Sequence, residues 1–346
     1  MEKSTLKPEK THLWIRDIKK DDQVCGPYLA KVKRLSLTKK GDPYLSITLS
    51  DCTGDMEARV WEKAEEFSSL FSEGDILEVE GAAGSYRNQI QVTLSNLRVA
   101  RGDVDPTLFL ESTTRDIPEM MRTLKKILKE IQNSRLKALV DGFFADRHFV
   151  SLFNKAPAAK NFHHGYLGGL LEHTLSVCQM TKAVVEHYPE LDKDLLLAGA
   201  FLHDIGKIKE YKYHVQIDYT DEGRLLGHLV LGVAMVDEKL SGLKDFPQEL
   251  ALRLKHLILS HHGQYEFGSP KRPKFLEAFA LHLVDDLDAK MNGLSRFMER
   301  DRQEGSWTDF NRLFERYFLK TRPTPEEDKV DSRPYEEERQ KALFSS

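Results

Sequence analysis

Histidines and aspartates recur beside apolar segments in the second half of the chain. His203 and Asp204 directly follow the apolar run 195–202, so the Asp204 carboxylate is expected to be at least partly buried. A buried carboxylate is costly unless it is paired or binds a metal. The residues of this kind are, in chain order, His173, His203, Asp204, His228, His261, His262, Asp285, Asp286 and Asp288. Imidazoles and carboxylates that converge from several helices suit Mn, Fe, Mg, Zn or Co.

Each of these residues alone also has a structural explanation. A single histidine on an apolar helix is commonly a packed core residue, and His261 and His262 could form a surface turn that ends at Gly263. The ordered set is what predicts a metal site. A carboxylate that bridges two metals holds them about 3.5–4 Å apart, the spacing of two-metal phosphodiester hydrolysis.

Helices must position these side chains. Residues 101–115 have no clear period and are interpreted as a linker, after which apolar residues recur with a helical period. Helices are predicted at 118–141, 167–187, 192–203, 227–240, 247–260, 274–300 and 307–319. From 321 to 346 the chain is charged and Pro-rich, which predicts a mobile tail. The α-helical domain is therefore expected to cover 116–320.

Residues 1–100 have a β pattern instead. Short runs rich in Val, Ile, Leu and Thr are separated by turn residues. Strands are predicted at 24–37, 44–50, 55–61, 76–81 and 90–99, with a short helix at 62–71. Five strands with a helix after the third are typical of an OB-fold barrel. Strand count alone does not exclude another small five-stranded barrel. The fold class is thus a β-barrel followed by an all-α helical bundle.

The composition limits the possible functions. The 346 residues are 40% hydrophobic and 31% charged, with a net charge of −4, which excludes a disordered chain and nucleic-acid binding by bulk positive charge. Cys25, Cys52 and Cys178 lie far apart and are expected to be reduced thiols of a cytoplasmic protein. The N-terminus lacks a signal-peptide pattern, and the most apolar run is too short to span a membrane.

The ordered motifs resemble those of the HD superfamily of metal-dependent phosphohydrolases, and more narrowly those of the YhaM family of 3′–5′ exoribonucleases. The matching stretches are 168–174, 202–207, 226–228, 259–264, 268–270 and 285–291. That family places an OB-fold before an HD domain, which is also the order predicted from the residues.

The resemblance implies roles for individual residues. It implies a four-ligand core of His173, His203, Asp204 and Asp285, with Asp204 bridging, and a second metal held by His228, His261 and His262. Asp286 and Asp288 compete with Asp285 for the ligand position. Asp285 is preferred because it occupies the ligand position of the family's D-x-L-D-A pattern, and Asp288 is expected to cap or orient. Lys207 is expected either to neutralise a substrate phosphate or to be a solvated lysine at a helix end.

The activity implied by the resemblance is the release of 5′-nucleotides from the 3′ end of single-stranded RNA, with single-stranded DNA left open. Two divalent ions, Mn first and Fe, Co, Ni, Mg or Zn as alternatives, would activate the attacking water. The barrel would bind the strand by base stacking beside cations. Candidate contacts are Tyr28, Lys31, Lys33, Tyr44, Arg59, Trp61, Tyr86 and Arg87, and His163 and His164 near the metal site. Each could instead pack in the core or face solvent.

Three other functions remain open from the sequence. A nucleotidase or phosphodiesterase for small nucleotides would use the same metal site, although a mononucleotide needs no extended groove. A cyclic-dinucleotide phosphodiesterase of the HD-GYP type would require a GYP motif, and none follows Gly263. A non-catalytic single-strand-binding module would not need an unbroken ligand set. The oligomeric state is not predicted.

Overall fold

The computed structural model describes residues 12–86, 89–100, 105–160, 164–213, 215–301 and 305–320. The chain divides after Asn292 into two compact units. The first unit contains a β-barrel and a helical region. All proposed site residues with a described position lie in this unit.

Five strands close the barrel in the order β1-β2-β3-β5-β4. They are β1 (Gln23–Leu37), β2 (Pro43–Asp51), β3 (Gly54–Val60), β4 (Ile76–Tyr86) and β5 (Gln89–Val99). The pair β3·β5 is parallel and the other pairs are antiparallel. Helix α1 (Ala64–Ser69) follows the third strand. This closed barrel with a helix after its third strand confirms the OB-fold prediction.

Strand β2 shows how the barrel separates its two faces. Leu45, Ile47 and Leu49 are fully buried in the barrel core. The alternate residues Tyr44 and Ser46 lie on the outer face, because successive side chains of a strand point to opposite sides. The outward side chains of β2 are thus partly accessible to solvent.

The helical region packs around one apolar core. Its helices are α2 (Ile117–Leu128), α3 (Ser134–Ala145), α4 (Arg147–Lys155), α5 (Gly169–His187), α6 (Lys193–Leu202), α7 (Lys207–Glu210), α8 (Asp221–Ser241), α9 (Gln248–Ser260) and α10 (Leu276–Arg300). A short hairpin of β6 (Tyr211–Tyr213) and β7 (Ile217–Tyr219) separates α7 from α8. Helix α6 lies within the core, since every residue from Leu195 to Leu202 is buried.

Two predicted helices are wrong in detail. The single helix predicted at 118–141 is two helices, because the Asn133 side chain accepts hydrogen bonds from the N–H groups of Arg135 and Leu136 and starts α3. Residues 307–319, predicted as a helix, instead form turns joined by isolated β-bridges. The Asn311 side chain accepts a hydrogen bond from the backbone N–H of Leu313, and the backbone hydrogen bonds of a helix do not form there. Helix α4 was not predicted.

Among the described helices, none is long and apolar enough to cross a membrane. Cys25, Cys52 and Cys178 are free, as expected. The predicted tail at 321–346 and residues 101–104 of the predicted linker lie outside the described residues.

Candidate metal centre and barrel face

Five chain segments bring the seven predicted metal ligands together. His173 lies on α5, and His203 and Asp204 follow the end of α6. His228 lies on α8, and Asp285 lies on α10. The two remaining ligands, His261 and His262, follow the end of α9. Overlapping groups of three of these residues have ligand atoms within 4.8 Å of one another.

Four atoms form the first half of the centre. His173 Nε2 lies 3.1 Å from His203 Nε2 and 3.1 Å from Asp285 Oδ1. Asp204 Oδ2 lies 3.4 Å from each of these two imidazole nitrogens. Ligand atoms that are each about 2.1 Å from one metal are about 3.0–3.4 Å apart. The spacing therefore fits one shared cation.

The second half of the centre uses the other oxygen of the same aspartate. Asp204 Oδ1 lies 3.5 Å from His228 Nε2 and 3.5 Å from His261 Nε2. His228 Nε2 in turn lies 3.2 Å from His262 Nε2. The two oxygens of Asp204 thus face two different sets of histidines, which is the arrangement of a bridging carboxylate.

Each of the five histidines is anchored through Nδ1, so that Nε2 points into the centre. The Nδ1 acceptors are the carbonyl oxygens of Ala200 for His203 (2.9 Å), Ile258 for His261 (2.8 Å) and Phe267 for His262 (3.0 Å), and the carboxylates of Asp288 for His173 (2.7 Å) and Glu210 for His228 (3.0 Å). These partners assign the proton of a neutral ring to Nδ1. Nε2 then presents a lone pair, as a metal ligand must.

Two observations show that these residues fit a divalent metal. Asp204 Oδ1 is buried and has no hydrogen-bond partner among the described residues. The Nε2 lone pairs of His173 and His203 face each other at 3.1 Å, an arrangement that requires a proton or a metal between them. A cation at each position would satisfy both features, and a mixed imidazole and carboxylate set suits Mn, Fe, Co, Ni or Zn.

The charges of the groups agree with this interpretation. Burial alone would raise the pKa of Asp204, but Lys207, His203 and His173 hold it well below its usual value. Burial lowers the pKa of His203, yet Asp204 and Asp285 raise it to about 9. The carboxylates thus make this a site that favours a bound positive charge, which a divalent cation would supply.

Close backbone packing positions the second half. A Cβ on Gly206 would lie 2.0 Å from the carbonyl oxygen of His228, so a side chain at this position would separate α7 from α8. Gly227 has a φ of 69°, in the left-handed region that favours glycine, and it bends α8 just before His228. The glycine of the His-Asp-Ile-Gly-Lys stretch thus brings His228 next to Asp204.

The three candidate carboxylates of α10 have different surroundings. Asp285 faces His173 Nε2, whereas Asp286 pairs with Lys290 at 2.7 Å, away from the metal centre. Asp288 lies behind His173 and accepts hydrogen bonds from its Nδ1 and from Ser176. The geometry therefore favours Asp285 as the ligand and makes Asp288 a residue that orients His173.

The barrel carries an aromatic and cationic cluster on its outer face. The rings of Tyr44 and Trp61 are 5.3 Å apart and inclined by 30°. The Arg59 guanidinium lies 5.0 Å from the centre of the Tyr44 ring. A shallow groove of about 370 Å³ runs along this face and is lined by Tyr44 and Arg59. Trp61 is 49% exposed, so its ring is accessible to a nucleic-acid base.

Family models and curated relatives match both regions. Residues 29–100 match a family described as an OB-fold nucleic acid binding domain, and residues 170–290 match the HD domain. The 3′–5′ exoribonuclease YhaM of Bacillus subtilis is 37% identical over 281 residues, which cover 81% of this chain and 88% of that protein. This chain belongs to the YhaM family. The YhaM of a Geobacillus species is 36% identical and covers 81% of this chain and 86% of that protein.

A solved OB-fold also resembles part of this YhaM-family chain. The second OB-fold domain of replication protein A from Methanococcus maripaludis is 18% identical, with a TM-score of 0.23. The match covers 28% of this chain and 100% of that domain.

Several predicted contacts have a different role in this YhaM-family chain. Tyr28 cannot stack on a base, because it is fully buried in the barrel core and its hydroxyl donates to Leu13 O. Lys33 donates to the carbonyl oxygens of Ser68 and Phe71 and ties α1 to β1. Lys31 pairs with Asp55 at 2.6 Å on the barrel surface.

The contacts of two described residues near the metal centre distinguish between the roles predicted for them. His164 is buried, with Nδ1 2.9 Å from the Tyr166 hydroxyl and Nε2 3.0 Å from Asp288, so it supports the centre and is not exposed to phosphate. The ammonium of Lys207 is buried and donates to Asp204 Oδ2 at 2.6 Å. In this arrangement its partner is the bridging carboxylate.

The remaining predicted contacts are Tyr86, Arg87 and His163. Tyr86 is 57% exposed at the end of β4. Arg87 and His163 lie outside the described residues.

Sequence reasoning missed residues that share surfaces with the predicted ones. Arg34 pairs in register with Ser46, which pairs with Arg59 on the next strand, so the two arginines lie in one row across the groove. Val32 and Arg34, two residues apart on β1, share the face that lines this groove. Glu210 was missed because no local pattern links it to His228, 18 residues away.

Proposed function

We propose that this chain is a divalent-metal-dependent 3′–5′ exoribonuclease that hydrolyses single-stranded RNA to 5′-nucleotides. The observation that carries the proposal is Asp204, whose two oxygens face two separate sets of histidines. Relatives named as 3′–5′ exoribonucleases over most of the chain support the same activity. Single-stranded DNA is a second substrate to be tested.

The proposed ligands of the first ion are His173, His203, Asp204 and Asp285. Those of the second are Asp204, His228, His261 and His262. Two bound divalent ions, with Mn²⁺ proposed first, would stabilise phosphate charge and lower the pKa of an attacking water. The donor set of imidazoles and ionised carboxylates supports this choice over a magnesium site made of oxygen ligands alone.

The protein's own groups hold this centre in one arrangement. Lys207 fixes the Asp204 carboxylate, and Asp288 fixes the ring of His173. Because these bonds are already formed, little reorganisation is needed when a phosphodiester enters. Such preorganised electrostatics usually supply the largest part of a rate enhancement.

The barrel, proposed as a nucleic-acid-binding domain at 1–100, would bind the strand beyond the reacting phosphate. Tyr44 and Trp61 offer aromatic surface for bases, and Arg34 and Arg59 offer positive charge for the backbone. An exonuclease must retain a polymer while it removes one nucleotide. A second candidate binding surface on the barrel favours this function over hydrolysis of a mononucleotide.

The proposed site of action is the cytoplasm. The three cysteines are free, which is the usual state of thiols in a reducing compartment.

The experiment compares two neighbouring aspartates of α10 as matched variants. A 5′-labelled single-stranded RNA is digested with Mn²⁺, with and without EDTA, by the wild type, Asp285→Asn and Asp286→Asn. We expect a ladder that shortens from the 3′ end for the wild type and Asp286→Asn, and no ladder for Asp285→Asn or with EDTA. Full activity of Asp285→Asn would contradict the proposed centre, and RNA binding without cleavage under any divalent metal would favour a non-catalytic module.

A further inference from the structure

The five histidines of the centre fall into two classes by their anchors. His203, His261 and His262 donate Nδ1–H to backbone carbonyl oxygens. His173 and His228 donate it to carboxylates, one in each half of the centre. A carboxylate anchor makes the imidazole a more basic ligand than a carbonyl anchor does, and it also fixes the ring.

Glu210 contacts His228 twice with the same oxygen. Its Oε1 accepts from His228 Nδ1 at 3.0 Å and from the His228 backbone N–H at 3.0 Å. The second contact falls on the first residue after the bend at Gly227. Glu210 therefore fixes both the backbone and the ring of this histidine.

The backbone of Glu210 is itself held firmly. Its carbonyl accepts from Thr220 N at 2.9 Å, and its N–H donates to Gly206 O at 3.0 Å. A Cβ on Gly223 would lie 2.2 Å from the Glu210 carbonyl oxygen, so the first turn of α8 packs directly against it. The carboxylate is thus fixed relative to both α7 and α8.

We propose that Glu210 is the positioning residue of the second half of the centre and sets the affinity of that half for its metal ion. The inference rests on the proposed two-metal function. Oε1 of Glu210 makes both contacts with His228, whereas Oε2 is buried and has no hydrogen-bond partner within the described ranges. A carboxylate in this position is a stronger anchor for a metal-binding imidazole than a neutral acceptor would be.

The test is a Mn²⁺ titration of the metal-free, full-length protein, with free Mn²⁺ measured by electron paramagnetic resonance. Glu210→Gln keeps the size and an acceptor oxygen but removes the charge. We expect it to weaken one of two binding steps by about 10-fold, and Glu210→Ala to weaken the same step by about 100-fold. His228→Ala identifies which step belongs to the second half.

Two matched variants complete the design. Asp288→Asn removes the carboxylate anchor of His173 in the first half of the centre. It is expected to weaken the Mn²⁺-binding step that Glu210→Gln leaves unchanged. Glu222→Gln removes an exposed charge from the first turn of α8 and is expected to change neither step. Both substitutions remove one negative charge, so they control for the net charge of the protein.

The outcomes separate this inference from the proposed function. If Glu210→Gln leaves both steps unchanged, or weakens the step that Asp288→Asn weakens, the role of Glu210 is overturned while the two-metal centre stands. If the wild type binds fewer than two Mn²⁺ ions, or if Asp204→Asn binds them normally, the proposed function itself fails.

Discussion

The proposed metal ligands are buried or half-buried, whereas among the proposed RNA contacts of the barrel Arg34 and Trp61 are exposed and Tyr44 and Arg59 are half-buried. Each histidine of the centre is fixed by a bond from Nδ1 to a carbonyl or carboxylate. On the barrel, the Tyr44 ring lies 5.3 Å from the Trp61 ring and 5.0 Å from the Arg59 guanidinium. The histidines of the centre are thus held by directional hydrogen bonds, whereas these barrel side chains are in ring and cation–π contact.

The difference follows from what each region must recognise. Phosphodiester hydrolysis needs charges at fixed positions, and small displacements of such groups are costly. Binding a single strand without sequence preference needs only aromatic surface and positive charge, because every base has a face that can stack. Substitutions should therefore have an all-or-none effect in the centre and a graded effect on the barrel.

The largest expected effect is that of Asp204→Asn. The substitution removes the charge shared by both halves of the centre, so RNA hydrolysis should fall by about 10³-fold or more. RNA binding should change less than twofold, since the barrel is untouched. Single-turnover digestion measures the rate of hydrolysis, and filter binding measures the RNA affinity. Parallel loss of RNA binding would show that the two regions are not independent.

Removal of the metal should destabilise the protein through the centre alone. A ligand present at about 100 times its Kd stabilises the folded state by about 2.7 kcal/mol. We therefore expect saturating Mn²⁺ to raise the Tm of the wild type but not that of Asp204→Asn, measured by calorimetry after EDTA treatment. An equal rise in both proteins would place the stabilising ion elsewhere.

Trp61→Ala tests the graded behaviour of the barrel. Loss of one stacked base costs about 1–3 kcal/mol, so RNA affinity should fall by about 5- to 150-fold. Bound metal should be unchanged. Tyr28→Phe is the matched control, because Tyr28 is buried and should leave RNA affinity unchanged. Weaker binding by Tyr28→Phe with Trp61→Ala unaffected would reverse the assignment of the two aromatic residues.

The smallest expected effect is that of Lys33→Met. The substitution leaves two carbonyl oxygens of the α1 region without their donor, which should lower the free energy of unfolding by about 1 kcal/mol. RNA affinity should change less than twofold. Urea denaturation and filter binding measure both, with Lys31→Met as a surface control. A large loss of RNA affinity for Lys33→Met alone would restore Lys33 to the RNA-binding face.

The order of elements and the convergence of the ligands followed from sequence patterns. His203 and Asp204 directly follow an apolar helix, so their burial could be predicted from the neighbouring residues alone. The assignments that failed depend on register. A bulge between Ala30 and Val32 interrupts the alternation of β1, so the outward and inward positions of Lys31 and Lys33 could not be read by counting.

Contacts between distant segments were equally inaccessible. The break between α2 and α3 depends on whether Asn133 caps a new helix or continues the old one, and helical periodicity alone does not distinguish these cases. The role of Glu210 depends on its meeting His228 in the folded protein, and no sequence pattern pointed to it. An orienting role was preferred for Asp288 from the sequence, but the histidine that it orients, His173, is known only from the fold.

The shared carboxylate of Asp204 has a thermodynamic consequence. Lys207 already orders this carboxylate, so in the proposed two-metal centre a first ion would gain little for a second by fixing it, whereas it would withdraw negative charge from the second site. The two binding equilibria of the proposed centre would therefore be negatively coupled, with each ion weakening the binding of the other by the same factor. Activity would then follow the weaker of the two equilibria.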